Sequence, residues 1–326
     1  MTDKVIILLG PTGVGKSGAS LLLAKSLDTE VISADSMQIY RHMDIGTAKP
    51  TVEERTLVKH HMIDIVDPWE SYSTGKYIDA VAPLIGKLHS KRKIPIVVGG
   101  TGLYIKAMTR GIFNGPSADW SLREELLSME KEEKGSLYQL LKDLDPEASQ
   151  RISPNDTRRI IRAIEVCSKA TSTMSEMQRR MTKPLPYEFI KIGLSRDRKE
   201  LYRMIEARVD NMVREGMVEE VKKVVHLIED KEKQGSGKAG EKRAVDLLLP
   251  SMQAIGYKDI ALYLEGEITL EEAVRLIKRG SKRYAKRQFT WFKKEEGIYW
   301  IDITGIYDNG IIFNLISDVL SNVLKH

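Results

Sequence analysis

The chain has 326 residues, is 42% hydrophobic and 30% charged, and carries a net charge of +5. That length suits about two domains with a sizeable core, and the composition excludes a disordered or collagen-like chain. The single cysteine, Cys167, excludes an intrachain disulfide and a cysteine-based zinc site and points to the cytoplasm, while the mild positive charge permits a nucleic-acid partner without requiring one.

The first apolar run, Val5-Ile6-Ile7-Leu8-Leu9, reads as a buried strand, and its position leaves no room for a signal peptide. It leads directly into Gly10-Pro11-Thr12-Gly13-Val14-Gly15-Lys16-Ser17 and then into the helix-forming run Ala19 to Leu27. This is the spacing G-x-x-x-x-G-K-[ST] set between a strand and a helix. The glycines let backbone N–H groups turn inward onto phosphate oxygens. The helix points its positive end at the same oxygens. Lys16 adds a mobile charge, and the Ser17 hydroxyl can ligate a Mg²⁺ that shares those oxygens. A glycine-rich turn without a ligand would not need the full spacing. The pattern asks for a diphosphate or a triphosphate and leaves open which.

The second strand, Val31–Ser33, ends in Ala34-Asp35-Ser36. A carboxylate at a strand end beside bound phosphates can hold Mg²⁺ through water or take a proton from a nucleophile. It can equally be a helix N-cap, and spacing leaves the choice open. Met62–Val66 reads as a third strand. His60-His61 precedes it; neighbouring side chains of an extended segment point apart and no third ligand is near, so both are read as structural. The fourth strand, Ile94–Val98, runs into Gly99-Gly100-Thr101-Gly102, either a backbone nest for an anion or a simple turn. Helical stretches separate these runs. The core is therefore expected to be α/β, a doubly wound parallel sheet of P-loop type with ligands at the carboxyl ends of its strands.

Residues 115–186 have a helical pattern too long for a simple crossover. They predict an inserted helical subdomain between a first core part, 1–114, and the rest of the core with mostly helical C-terminal residues, 187–326. Within the insertion, Asn155 or Asp156 caps a helix carrying Arg158, Arg159 and Arg162. Paired arginines suit phosphate, and they also suit a solvated face. Lys191–Leu194 supplies a fifth strand, and Arg208 on the next helix is a further anion candidate with the same alternative. Glu229 to Arg243 is charged, glycine-rich and aperiodic, which predicts a mobile surface loop. Between Lys278 and Lys294 stand eight lysines and arginines and no acid, interleaved with Tyr284, Phe289, Trp291 and Phe292. So dense a run favours a polyanion partner over a solvated face. Ile298–Ile303 reads as one more strand before a terminal helix. No apolar run approaches the roughly 20 residues of a membrane span. No heptad stripe is legible either, so a monomer without a membrane partner is expected.

Seven segments, in one order, resemble the bacterial tRNA dimethylallyltransferase family, also called tRNA isopentenyltransferases. They are GPTGVGKS from Gly10, ISADSMQIYRHMDIGTAKP from Ile32, HHMIDIVDP from His60, IPIVVGGTGLYIKA from Ile94, NDTRRIIRAIEV from Asn155, SMQAIGYKD from Ser251 and YAKRQFTWF from Tyr284. The resemblance implies transfer of the dimethylallyl group of dimethylallyl diphosphate to N6 of the adenine just 3′ of the anticodon, with diphosphate released. It implies Asp35, Thr12 and Lys16 as catalytic residues, with Asp35 the base. Gly10 to Ser17 and Arg208 would hold the diphosphate, and Ser17 the Mg²⁺. Contacts with tRNA would come from Asp35, Ser36, Met37, Gln38, Thr101, Arg123, Arg158, Arg159, Ile160, Ile161 and Arg162. The target base would leave the anticodon-loop stack and enter a channel, while the helical insertion grips the anticodon stem-loop. One departure is a segment near 229–248 that looks longer than the common pattern. Three rival readings remain at this stage: a small-molecule kinase using ATP, a prenyltransferase acting on free AMP or ADP, and a nucleotide-gated RNA-binding module. The helical insertion and the basic-aromatic run argue against a small acceptor.

Overall fold

The computed structural model describes residues 3–113, 115–236 and 249–324. The chain runs through β1 (Lys4–Leu9), α1 (Lys16–Ser26), β2 (Val31–Ala34), α2 (Val52–Leu57), β3 (His60–His61), α3 (Thr74–Ser90), β4 (Ile96–Gly99) and α4 (Gly102–Thr109). Five helices follow: α5 (Trp120–Glu132), α6 (Ser136–Leu144), α7 (Pro146–Arg151), α8 (Thr157–Lys169) and α9 (Met174–Met181). Then come β5 (Glu188–Ser195), α10 (Arg198–Arg214), α11 (Met217–Ser236), α12 (Tyr257–Leu264), α13 (Leu270–Phe292), β6 (Ile298–Asp302) and α14 (Asn309–Leu324).

Among the described residues the six strands form one parallel sheet in the order β3-β2-β4-β1-β5-β6. All six residues of β1 are buried. It pairs with β4 from Ile6↔Ile96 to Leu9↔Gly99 and with β5 from Lys4↔Glu188 to Leu9↔Gly193. A strand covered on both faces reads as an unbroken apolar run, which is why Val5–Leu9 was legible. The third expected strand differs. Only His60–His61 pairs, because Met62 and Asp64 adopt left-handed φ values of 62° and 56° that end the extended ladder. Val66 returns only as a single parallel bridge to Tyr40. The expected loop from Glu229 also differs at its start. Val221, Val224 and Ile228 are buried at helical spacing, and α11 continues through Ser236. The remainder of that expectation, residues 237–243, lies outside the described residues, as does the rest of the longer segment to residue 248.

By packing, the chain divides into two compact units, one from Met1–Ile105 with Pro186–His326 and the other Lys106–Leu185. The second begins inside α4, ahead of residue 115, because its two ends pair with each other: Ile112 bridges Lys183, and Leu185 N–H donates to Met108 O at 3.0 Å. Its helices close on Leu137, Leu141, Ala148, Ile160, Ala163, Ile164 and Val166. Buried Asp145 links two of them, accepting from Ala148 N–H to cap α7 and from Ser175 N–H at the start of α9, both at 2.9 Å. In the first unit one core cluster joins Ile6, Leu8, Leu23, Ile192, Ile205 and Ile316, and another joins Tyr40, Met43, Val209, Val221, Tyr257 and Ile277. No helix among the described residues is long and apolar enough to cross a membrane.

Candidate active site

The sheet order sets the ends of β2, β4 and β1 side by side. Three loops therefore meet: Ala34-Asp35-Ser36, Gly99-Gly100-Thr101 and Gly10 to Ser17. Gly15 starts α1 with φ 111°, a conformation that favours glycine, and no side chain caps the helix there. The first-turn N–H groups thus remain available to an anion. Lys16 Nζ donates to Gly10 O at 2.9 Å and Pro11 O at 2.8 Å. Arg208 on α10 donates to Thr12 Oγ1 at 3.3 Å. Burial, then Arg208, push the Lys16 ammonium down to about 7, with Asp35 pulling the other way. Burial also lowers the Arg208 guanidinium, again against the pull of Asp35.

Asp35 does not cap a helix. Its Oδ1 accepts from Met37 N–H at 2.8 Å and Gln38 N–H at 3.4 Å, closing a local turn. Among the described residues its other oxygen makes no hydrogen bond. Thr101 braces the same turn: its Oγ1 accepts from Ser36 N–H at 3.0 Å, while its own N–H donates to Ala34 O at 3.1 Å. Glycine is required before it, since a Cβ on Gly99 would lie 2.2 Å from Ala34 O. Gln38 Oε1 accepts from Ser33 Oγ at 2.9 Å, and its Nε2 donates to Ala48 O at 3.2 Å.

Two cavities open here. One of about 400 Å³ is bounded by Thr12, Lys16, Ser17, Asp35, Gln38 and Arg208 with their neighbours. The other, of about 220 Å³, is bounded by Asp35, Ser36, Met37, Arg208 and Tyr284 and by apolar Ile205, Val209, Met212, Ile255 and Ile277. Thr12, Asp35, Thr47 and Arg208 line both. His60 lines the larger cavity, its Nδ1 within 2.7 Å of Val58 O, and burial lowers its pKa. His61 Nε2 lies 2.6 Å from Glu30. Neither has company for a metal, as no cluster of three metal-binding side chains occurs among the described residues.

The other expected RNA-contact residues lie in the second unit. Arg123 grips the buried Glu165 carboxylate with two bonds of 2.9 Å, Arg162 joins the same carboxylate, and Asp119 N–H donates to it at 2.7 Å. Arg158 and Arg159 are exposed, and Arg159 lies 3.3 Å from the helix cap Asp156. Ile160 and Ile161 are buried in the helical core, so their side chains present no surface. The basic-aromatic run forms the second half of α13 and is less unbalanced than its sequence suggests. Lys278 pairs with Asp210 at 2.6 Å and Lys282 with Glu206 at 2.5 Å, both acids supplied by α10. Arg279, Arg283, Lys286 and Arg287 are exposed, whereas Phe292 is core.

Sequence reasoning missed Gln288. Its Oε1 accepts from Thr12 N–H at 2.8 Å, and its Nε2 donates to Gly100 O at 2.9 Å. The available signal was register: Ala285, Gln288 and Phe292 share one helical stripe, and a polar amide there stands at a core position. Glu220 was missed as well. Its carboxylate accepts from the N–H groups of Asp44, Ile45 and Gly46 at 2.7, 2.7 and 2.9 Å and from Tyr257 Oη at 2.6 Å. It thereby fixes the loop that carries Thr47 into both cavities.

A parallel sheet whose first strand feeds this loop and helix defines a P-loop-type α/β protein. Residues 38–295 match the family described as IPP transferase, and the chain belongs to that family. It is 54% identical over 325 residues to the tRNA dimethylallyltransferase of Thermodesulfovibrio yellowstonii, with 99% of each chain covered. The crystal structure of the tRNA isopentenylpyrophosphate transferase from Bacillus halodurans is similar, with a TM-score of 0.66 at 40% identity and 100% of both chains covered. A eukaryotic dimethylallyltransferase captured acting on tRNA is similar with a TM-score of 0.77 at 29% identity, covering 98% of this chain and 80% of that one.

Proposed function

We propose that the protein transfers the dimethylallyl group of dimethylallyl diphosphate to N6 of the adenine 3′ to the anticodon in tRNA, releasing diphosphate. The observation that carries this reading is the shared wall: Thr12, Asp35, Thr47 and Arg208 face both cavities, so the anion cradle and a carboxylate meet at one point. The diphosphate lies in Gly10 to Ser17, with Thr12, Lys16 and Arg208 on its oxygens. The N6 lone pair attacks the allylic carbon C1 as the C1–O bond breaks, and the bonding pair leaves with the diphosphate. Lys16 and Arg208 stabilise that departing charge. Asp35 takes the N6 proton, which makes a weakly nucleophilic amine competent. The Ser17 hydroxyl, exposed beside Lys16, suits a Mg²⁺ ion, and such an ion supplies further neutralisation of diphosphate charge.

Exposed Arg158 and Arg159 on α8 are assigned to phosphates of the anticodon stem-loop. Thr101 and the Asp35–Gln38 turn are assigned to the nucleotide that is modified. A monomer acting in the cytoplasm fits this reading. The test is incubation of the protein with dimethylallyl diphosphate and an anticodon stem-loop, followed by mass analysis of the nucleosides. An adenosine heavier by one dimethylallyl group is expected. Turnover of ATP without that product, or equal activity on free AMP, would overturn the proposal.

A further inference from the structure

We propose that Gln288 is a positioning residue that sets the gap between the diphosphate cradle and Asp35. The proposal rests on the prenyl-transfer reading and adds a residue to it. Gln288 stands on α13, distant in sequence from both loops, yet its amide joins them: Thr12 N–H on one side, Gly100 O on the other. It is 6% exposed, and its bond to Gly100 O is buried. From Gly100 the connection runs on through Thr101, whose Oγ1 accepts from Ser36 N–H, and so to the turn closed by Asp35. The leaving-group side and the proton-accepting side of the reaction are thus tied by one chain of hydrogen bonds.

The chemistry of the joint is specific. One planar group must accept at one end and donate at the other, which an amide does and a carboxylate or hydrocarbon does not. The fit is also tight, because a Cβ on Gly100 would stand 2.0 Å from Gln288 Nε2. In-line displacement at C1 needs the nucleophile and the leaving group held on opposite sides of one carbon. A shift of about 1 Å in such a pair can lower a rate by on the order of a hundredfold. An amide that fixes the two loops against each other therefore acts on the rate of transfer more than on the affinity for either substrate.

The experiment compares native protein with Gln288→Met, which keeps the length and loses both bonds, and Gln288→Glu, which keeps the acceptor and loses the donor. For both variants kcat is expected to fall about tenfold to a hundredfold. The KM for dimethylallyl diphosphate and the Kd for inorganic pyrophosphate should stay within about threefold of native, as expected when ground-state binding is intact. Hydrogen exchange at Thr12 N–H should be faster in Gln288→Met and close to native in Gln288→Glu. Should Gln288→Met fail to fold, the Gln288→Glu rate alone decides. A kcat within twofold of native, or a pyrophosphate Kd that weakens in step with kcat, overturns the proposal. Native protein that yields no prenylated adenosine overturns the function itself, a result distinct from active native protein with an indifferent variant.

Discussion

Lys16 is placed where two demands on its charge conflict. With its pKa at about 7, the side chain in the free protein is largely neutral above that pH, compatible with its bonds to Gly10 O and Pro11 O. On the proposed function, a bound phosphate chain restores the positive charge. Binding of pyrophosphate at about pH 8 is therefore expected to take up close to one proton, read by calorimetry in two buffers of unlike ionisation enthalpy. Lys16→Met should abolish the uptake, and a native value near zero would contradict the electrostatics. The sign for stability follows from the same shift. Between about 7 and the ordinary lysine range the unfolded chain holds the extra proton, so this group's contribution to stability rises with pH across that window and is smallest below it. On the proposed mechanism Asp35 is the other decisive side chain. Asp35→Asn should lower kcat by about 10²–10⁴-fold while the stem-loop still binds, measured by single-turnover transfer and filter binding. Retained turnover would assign the proton to another group.

At the scale of elements, the strength of the site lies in carboxylates that hold backbone from afar. Glu220 on α11 gathers three consecutive N–H groups of the Asp44–Gly46 loop and the Tyr257 hydroxyl. Gly46 allows this because a Cβ there would meet the Tyr257 ring at 2.6 Å. Glu220→Ala strands those donors and should lower the unfolding free energy by about 2–3 kcal/mol in urea denaturation; a change under about 0.5 would mean the loop is held otherwise. Glu165 does similar work in the helical unit. Burial raises its pKa, but bonds from Arg123, Asp119 N–H and Arg162 outweigh that and leave it below the ordinary glutamate value. Its contribution to stability is thus present above the ordinary value and is lost as pH falls through the lower one. Glu165→Gln should flatten the acid side of the stability–pH curve. These partners explain what the sequence could and could not reveal. Gly10 to Ser17, the ends of β2 and β4 and the helix that exposes Arg158 and Arg159 were legible because each is a local pattern. Glu220 lies 176 residues from Asp44 and Glu165 lies 42 from Arg123, and no spacing rule links them. The shortened β3 escaped because left-handed Met62 and Asp64 break a run whose residue types favour extension. The acids that answer Lys278 and Lys282 were hidden for the same reason as Glu220: they belong to another helix.

For the whole molecule, the exposed arginines of α8 and the exposed bases of α13 predict salt-sensitive binding of RNA. Affinity for the anticodon stem-loop should fall by about ten- to a hundredfold between about 50 and 200 mM salt. An affinity flat across that range would remove phosphate contacts from the account. The order of the strands carries a further consequence, in time. β1 is made first, yet one of its two neighbours, β5, emerges only after the whole of Lys106–Leu185 has been translated. Thr12 then waits 276 residues for the amide of Gln288, on the order of tens of seconds at ordinary rates of synthesis. The phosphate loop thus leaves the ribosome well before the segments that complete its surroundings. A nascent chain stalled anywhere before α13 carries the recognisable motif without the joint that aligns it, so on the proposed mechanism arrested translation products should transfer prenyl groups at least about tenfold more slowly than the full chain.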